Sequence, residues 1–152
     1  MTAPSEVRLR KMEPADLDVL LPYEKNMFGS ESWSRGSYLE ELADTQLRHY
    51  LVAETDEGVL GSGGLMIIGE TAQILTVGVL PAARRQGIAR LLVRELVAEA
   101  RRRQAEEVLL EVRMDNQPAR SLYENEGFVS IGTRRGYYDH GRIDAVVMRH
   151  GL

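Results

Sequence analysis

Cysteine is absent from the 152 residues, and lysine, histidine and large aromatics are scarce. Without thiols the chain has no disulfide, no zinc–thiolate site and no cysteine nucleophile, so no acyl thioester can form on the protein itself. Lys11 and Lys25 are the only lysines, against seventeen arginines. Neither lysine follows a glycine-rich loop, which excludes a Walker phosphate loop. His49, His140 and His150 are scattered, so no metal site is expected. His49, beside a strand, reads as a surface or capping residue. The patterns G-x-G-x-x-G and G-x-S-x-G do not occur. No apolar run reaches membrane-spanning length. The opening Met1-Thr2-Ala3-Pro4-Ser5-Glu6 lacks a basic region followed by an apolar stretch, so no signal peptide is expected. A net charge of −4 gives no general pull toward nucleic acid. The expectation is one cytoplasmic domain over residues 1–152, with neither membrane nor nucleic acid as direct partner. Nothing in the pattern speaks to oligomeric state.

What is present is densest at 74–100. The apolar run Ile74-Leu75-Thr76-Val77-Gly78-Val79-Leu80 stops at Pro81. It is followed by Arg84-Arg85-Gln86-Gly87-Ile88-Ala89-Arg90 and then by a segment of helical period. A strand opening through such a loop into a helix gathers free N–H groups and the positive end of the helix dipole at one point. That point suits a phosphate or pyrophosphate. The helix spans 88–103, with Ile88, Leu91, Leu92 and Leu96 on one stripe, and Arg101-Arg102-Arg103 reads as its solvated end. Ahead of it, Val7–Arg10 alternates as a strand. Pro14 opens a helix that Pro22 ends or kinks, and Ser34 caps a second helix. Strands at 50–54 and 59–68 meet at Asp56-Glu57-Gly58, and Gly69-Glu70 turns the chain into 71–80. Val108–Arg113 is the next strand. Asn116 and Pro118 start a short helix that Gly127 closes, and strands at 128–133 and 143–148 finish the chain. The linking Tyr137-Tyr138-Asp139-His140-Gly141 reads as a loop long enough to be functional. The order βααβββαβαββ implies an α/β fold, a central mixed sheet flanked by helices on both faces.

Glu111 lies on the strand after the phosphate-binding helix. The helical crossover makes strands 77–79 and 109–113 parallel neighbours, and ligands in such sheets bind at strand carboxyl ends. A carboxylate there can take a proton from an amine, whose α-ammonium pKa is about 7.7–8.0. It can equally be a surface glutamate paired with Arg113 or another arginine. Tyr123 can donate a proton to a departing group or simply fill the core. Asn116 serves as a helix cap or as a polar ligand contact. Trp33, Tyr137 and Tyr138 line a peptide groove or cover the core.

Together these residues resemble the GCN5-related N-acetyltransferase (GNAT) superfamily. Arg84-Arg85-Gln86-Gly87-Ile88-Ala89 matches its acetyl-coenzyme A motif, [Q/R]-x-x-G-x-[G/A], with Ala89 at the second small position. Leu110–Arg113, Asn116, Ser121-Leu122-Tyr123-Glu124, Gly127-Phe128, Arg134-Arg135 and Tyr137-Tyr138 are similar to the RimI-type protein N-terminal acetyltransferases. Ser32-Trp33-Ser34 resembles the Pro-Trp-Ser found there, with serine for proline, and Pro118 stands where alanine is common. The resemblance implies the acetyltransferase fold, with acetyl-coenzyme A as co-substrate. It implies Glu111 as proton acceptor and Tyr123 as proton donor. By the same resemblance Val77, Gly78 and Val79 meet the acetyl and pantetheine part, residues 85–90 meet the pyrophosphate, and Asn116 contacts the cofactor. The implied acceptor is a protein N-terminus, typically the alanine of a small-subunit ribosomal protein. A small-molecule amine acceptor and a non-catalytic acyl-coenzyme A sensor are the alternatives.

Overall fold

The computed structural model describes residues 6–152, so the segment read for a leader, apart from Glu6, lies outside the described residues. Seven strands form one sheet: β1 (Arg8–Lys11), β2 (Arg48–Thr55), β3 (Gly58–Ile68), β4 (Thr71–Val79), β5 (Glu107–Arg113), β6 (Val129–Tyr138) and β7 (Ile143–Gly151). Their order across the sheet is β1-β2-β3-β4-β5-β7-β6. Among the described residues only the central β4–β5 pair is parallel, as the long helical connection between them requires. Among the described residues no helix is long and apolar enough to cross a membrane.

Helix α4 (Ile88–Arg102) covers one face. Its buried residues step by helical period: Ile88, Leu92, Leu96 and Ala100 on one line, Val93 and Val97 beside it. Leu91, expected on this stripe, is exposed, because its angular position falls on the opposite side from Val93. The stripe packs on Leu65, Ile74, Val108, Leu110 and Val146. Each fully buried aliphatic side chain there contributes roughly 1.5–3 kcal/mol. Arg102 and Arg103 at the helix end bind Glu95 and Glu99, consistent with a solvated terminus.

The other face is covered by the N-terminal helices. Where one helix ending near Pro22 was expected, the chain runs from Pro14 to Glu31 as alternating 3-10 and α turns, including α1 (Leu17–Leu20) and α2 (Glu24–Phe28). Pro22 sits at the start of a 3-10 turn, where its missing N–H leaves no helical bond broken, so the chain resumes as α2. Helix α3 (Arg35–Ala43) begins at Ser34, whose hydroxyl accepts from the Ser37 N–H at 3.1 Å. Leu17, Leu20, Tyr38, Tyr50 and Val52 form this second core. Its buried carboxylate, Glu24, accepts from the Tyr38 hydroxyl (2.9 Å) and the Trp33 N–H (2.8 Å).

Two further expectations change. Tyr137 and Tyr138 belong to β6, not to a loop. Gly136 takes φ +61°, and its N–H donates to Asp144 (2.8 Å), so a bulge imitates a turn inside the strand. His49 is neither a cap nor open to solvent: it is half-buried on β2, and both ring nitrogens lack hydrogen-bond partners. Burial holds its pKa below the ordinary value, with the nearby Glu99 opposing that shift.

Strands β3 and β4 pack backbone to backbone. A Cβ placed on Gly61 would lie 2.6 Å from the Gly78 carbonyl oxygen, which has no room to step aside. Gly61→Ala is therefore expected to cost about 1–3 kcal/mol of stability, read as a lower urea midpoint at constant m-value. An unchanged midpoint would mean the two strands separate there without penalty.

Candidate active site

The site begins where β4 and β5 part. Their pairing covers Thr71–Glu107, Ala72–Val108 and Gln73–Leu109 and then stops. The register between β3 and β4 slips at Leu75, a bulge that bends β4 away from its parallel neighbour. Past the bulge β4 bonds β3 alone. The Leu80 N–H donates to the Leu60 carbonyl at 2.8 Å. Strand alternation therefore turns the Val79 and Val77 backbone groups away from β3, onto the open edge.

The gap is a cleft of about 650 Å3. Its walls include Met27, Phe28 and Trp33 from the N-terminal segment, Leu75–Val77 from β4, and Glu111 and Arg113 from β5. Asn116, Ala119 and Tyr123 from α5 (Gln117–Asn125) and Tyr137 and Tyr138 from β6 complete it. A second hollow of about 240 Å3 shares the floor of β4 and α5, through Val79 and Leu122. Arg84, Arg85, Gly87, Ile88, Ala89 and Arg90 rim it.

This second hollow has the makings of an anion seat. Gly87 caps α4 in the left-handed region (φ +76°, ψ 14°), and Arg85 also has positive φ (65°). A Cβ on Gly87 would meet nothing within 4 Å, so the cap opens onto free space. The first-turn N–H groups of a fifteen-residue helix lie there without intrahelical acceptors. Arg85 and Arg90 have no ion-pair partner among the described residues. Arg84 differs: its guanidinium donates to Asn26 (2.7 Å) and to the Val79 carbonyl (3.4 Å), tying the loop to α2. The Ile88 side chain is in the core, which leaves only its backbone to the hollow. Gln86 is exposed and does not line it. Gly78 backs onto Met27 and Phe28 instead of lining either cavity.

At the other end stand the ionisable groups. The alternation of β5 buries Val108, Leu110 and Val112 on one face and turns Glu111 to the other. Glu111 Oε1 pairs with Arg134 Nε at 3.1 Å, not with Arg113. Glu111 Oε2 is buried with no hydrogen-bond partner, as is the Thr76 hydroxyl across the gap. Both residues line the cleft, and buried polar atoms left unsatisfied beside a cavity call for a polar partner there. Tyr123, buried on α5 and edge-on to Phe128 (5.8 Å), has its pKa pushed up to about 12 by burial alone. No described residue takes a hydrogen bond from its hydroxyl.

Asn116 is the cap of α5, its Oδ1 accepting from the Ala119 N–H at 3.2 Å, and it also lines the cleft. Trp33 stacks at a tilt on Tyr38 (5.1 Å) while one side faces the cleft. The Tyr138 hydroxyl donates to the Glu111 carbonyl at 3.3 Å. The Tyr137 phenol is held above its usual pKa, first by the Glu111 carboxylate and then by burial. Thr76 and Phe28 carried no functional reading in the sequence, and Arg134 and Asp139 entered it only within longer segments, without roles of their own. Their places follow from strand pairing and from a helix that resumes after Pro22, and neither is a local pattern.

Comparison with known proteins gives a consistent result. The model of the acetyltransferase (GNAT) family matches residues 17–128. The N-alpha-acetyltransferase RimI of Mycobacterium tuberculosis is 36% identical over 155 aligned residues, covering 98% of this chain and 96% of the relative. The ribosomal protein bS18-alanine N-acetyltransferase of Escherichia coli is 31% identical over 119 residues, covering 76% and 78%. The crystal structure of the ribosomal-protein-S18-alanine N-acetyltransferase from Escherichia coli superposes with a TM-score of 0.86 at 25% identity. That superposition covers 97% of this chain and 94% of the other.

The seat at Gly87 can be tested directly. Gly87→Val forces a β-branched residue into the left-handed region and crowds the open cap. It is expected to weaken coenzyme A binding at least about tenfold by calorimetry, beyond any stability loss of roughly 1–2 kcal/mol. Unchanged affinity would remove the α4 N-terminus from ligand binding.

Proposed function

The chain belongs to the acetyltransferase (GNAT) family, and on that premise we propose that it transfers acetyl from acetyl-coenzyme A directly to the N-terminal amine of a protein. The N-terminal alanine of a small-subunit ribosomal protein is the leading acceptor. One observation carries this reading: a buried, unpartnered carboxylate oxygen of Glu111 and an unpartnered phenol of Tyr123 line the same cleft. The relatives that are ribosomal protein bS18-alanine N-acetyltransferases favour this acceptor over a small free amine. Such an acceptor is a chain end in the cytoplasm, with neither membrane nor nucleic acid as direct partner.

In this mechanism each of the chain's groups has one task. Arg85, Arg90 and the N–H groups after Gly87 hold the pyrophosphate. The β4 edge at Val77 and Val79, which bonds no strand on that side, lines the pantetheine and acetyl part, with Asn116 opposite. Acetyl-coenzyme A supplies the activated acyl group. Glu111 Oε2 takes a proton from the incoming ammonium, whose pKa of about 7.7–8.0 leaves little free amine near neutrality. The Val79 N–H donates to the carbonyl oxygen as it gains charge. The Tyr123 hydroxyl gives its proton to the departing sulfur. Burial keeps this phenol protonated and also penalises a bare thiolate, so the proton moves as the C–S bond breaks and no free thiolate is left in the cleft. With no cysteine, direct transfer needs no acyl-enzyme. Tyr137, Tyr138 and Trp33 form the walls against which the acceptor lies.

The first test is release of free thiol from acetyl-coenzyme A in the presence of N-terminal peptides and of free small amines. Turnover confined to small amines, or tight binding with no amine-dependent release, would sink the proposal. Tyr123→Phe should lower kcat by about 10²-fold or more with coenzyme A affinity nearly intact. Equal losses in both would make the phenol structural. Because Tyr123 stays protonated to about pH 12, no alkaline loss of rate below roughly pH 11 should disappear in this variant. Glu111→Gln should reduce the rate most at low pH, where free amine is scarcest. A pH–rate profile identical to wild type would remove its role as base.

A further inference from the structure

The walls of the acceptor end come from chain segments far apart in sequence, and a single carboxylate joins them. Asp139 Oδ1 accepts from the Ser30 hydroxyl at 2.6 Å, across 109 residues. Asp139 Oδ2 accepts from Arg113 Nη2 at 2.9 Å. Ser30 lies in the 3-10 turn between α2 and α3, Arg113 ends β5, and Asp139 opens the tight turn between β6 and β7. All three line the cleft, and none rims the hollow at Gly87.

From this geometry we propose that Asp139 is a positioning residue for the acceptor: it ties Ser30 to Arg113 and fixes the span between the two walls that the acceptor must enter. The inference rests on the acetyl-transfer reading above. The tie reaches the acceptor wall through Tyr138, while the Glu111 carboxylate is held by its own pair with Arg134. The Arg113 guanidinium lies 5.7 Å over the Tyr138 ring, and the Tyr138 hydroxyl holds the Glu111 carbonyl. Asp139 (φ 51°) and His140 (φ 54°) both take the left-handed conformation that Asp and His tolerate and that a tight hairpin turn uses. Arg113, and then the Ser30 hydroxyl, hold the Asp139 carboxyl down at about 2. The contribution of such a carboxylate is fully present above its unfolded-state pKa and is lost only as pH falls through the depressed value of about 2. The tie is therefore intact throughout the neutral range.

The test compares Asp139→Ala, Asp139→Asn, Ser30→Ala and the Asp139→Ala/Ser30→Ala pair with wild type. Asp139→Ala should raise the KM for the amine acceptor about tenfold, while the KM for acetyl-coenzyme A and kcat stay within about twofold. Asn keeps an acceptor oxygen and tolerates positive φ, so Asp139→Asn should recover part of the loss and also serves if Ala does not fold. The double variant should be no worse than Asp139→Ala alone, since Ser30→Ala removes a hydrogen bond that Asp139→Ala has already lost. Parallel rises in both KM values, or multiplicative losses in the double variant, overturn the proposal. Hydrogen exchange gives a readout without any acceptor. Asp139→Ala should speed exchange over residues 28–33 and leave α4 unchanged. Unaltered exchange there overturns the tie even if peptide turnover is absent, whereas absent wild-type turnover on peptides alone overturns only the assignment of the acceptor.

Discussion

Three parallel residue pairs are all that join β4 to β5, and the cleft begins at the fourth position, where pairing fails. Carrying the ladder further would fill the gap with backbone hydrogen bonds and leave no room for a ligand. The bulge at Leu75 prevents this by turning β4 out of register with its neighbour. The cost is a row of backbone groups without strand partners, which a protein tolerates where water or a ligand can reach them. The sheet withstands the split because α4 packs across β3, β4 and β5 on one face while Met27 and Phe28 lean on β4 from the other.

That split sorts the chemistry by position. At one end the N-terminus of α4 offers N–H groups and the unpaired Arg85 and Arg90, a setting for polyphosphate. At the other end the charged groups are largely paired with one another: Glu111 with Arg134, Arg113 with Asp115 and Asp139. What remains unpaired there is specific. One oxygen of Glu111, the Thr76 hydroxyl and the Tyr123 hydroxyl have no hydrogen-bond partner among the described residues. A donor anchored by its tail and an acceptor admitted through the opposite mouth would meet between them. The cleft crosses the sheet, so Glu111 and Tyr123 approach the gap from a strand and from a helix that covers it.

The second core matters to this arrangement as much as the first. Glu24, buried beneath Trp33, accepts from the Trp33 N–H and the Tyr38 hydroxyl. Burial raises its pKa, and the hydrogen bonds from Trp33 and Tyr38 oppose that shift. This carboxylate organises the turn that carries Ser30 and Trp33 to the cleft. Local propensity does not favour that path. The segment alternates between 3-10 and α turns because tertiary contacts hold it over β4.

The sequence alone determined the seven strands and the long amphipathic helix with a glycine at its start. Each is a property of near neighbours in the chain: alternation, a 3.6-residue period, or a glycine placed at a helix start. It also brought Glu111 and Asn116 to the carboxyl end of β5, since a helical crossover leaves parallel strands side by side. It did not show that Tyr137 and Tyr138 lie within a strand, because a bulge at Gly136 has the local look of a turn. Nor did it show which arginine meets Glu111, or that Ser30 meets Asp139. Those contacts join residues tens to a hundred positions apart, and hydrogen-bonded register and side-chain packing become defined only once the whole sheet is assembled.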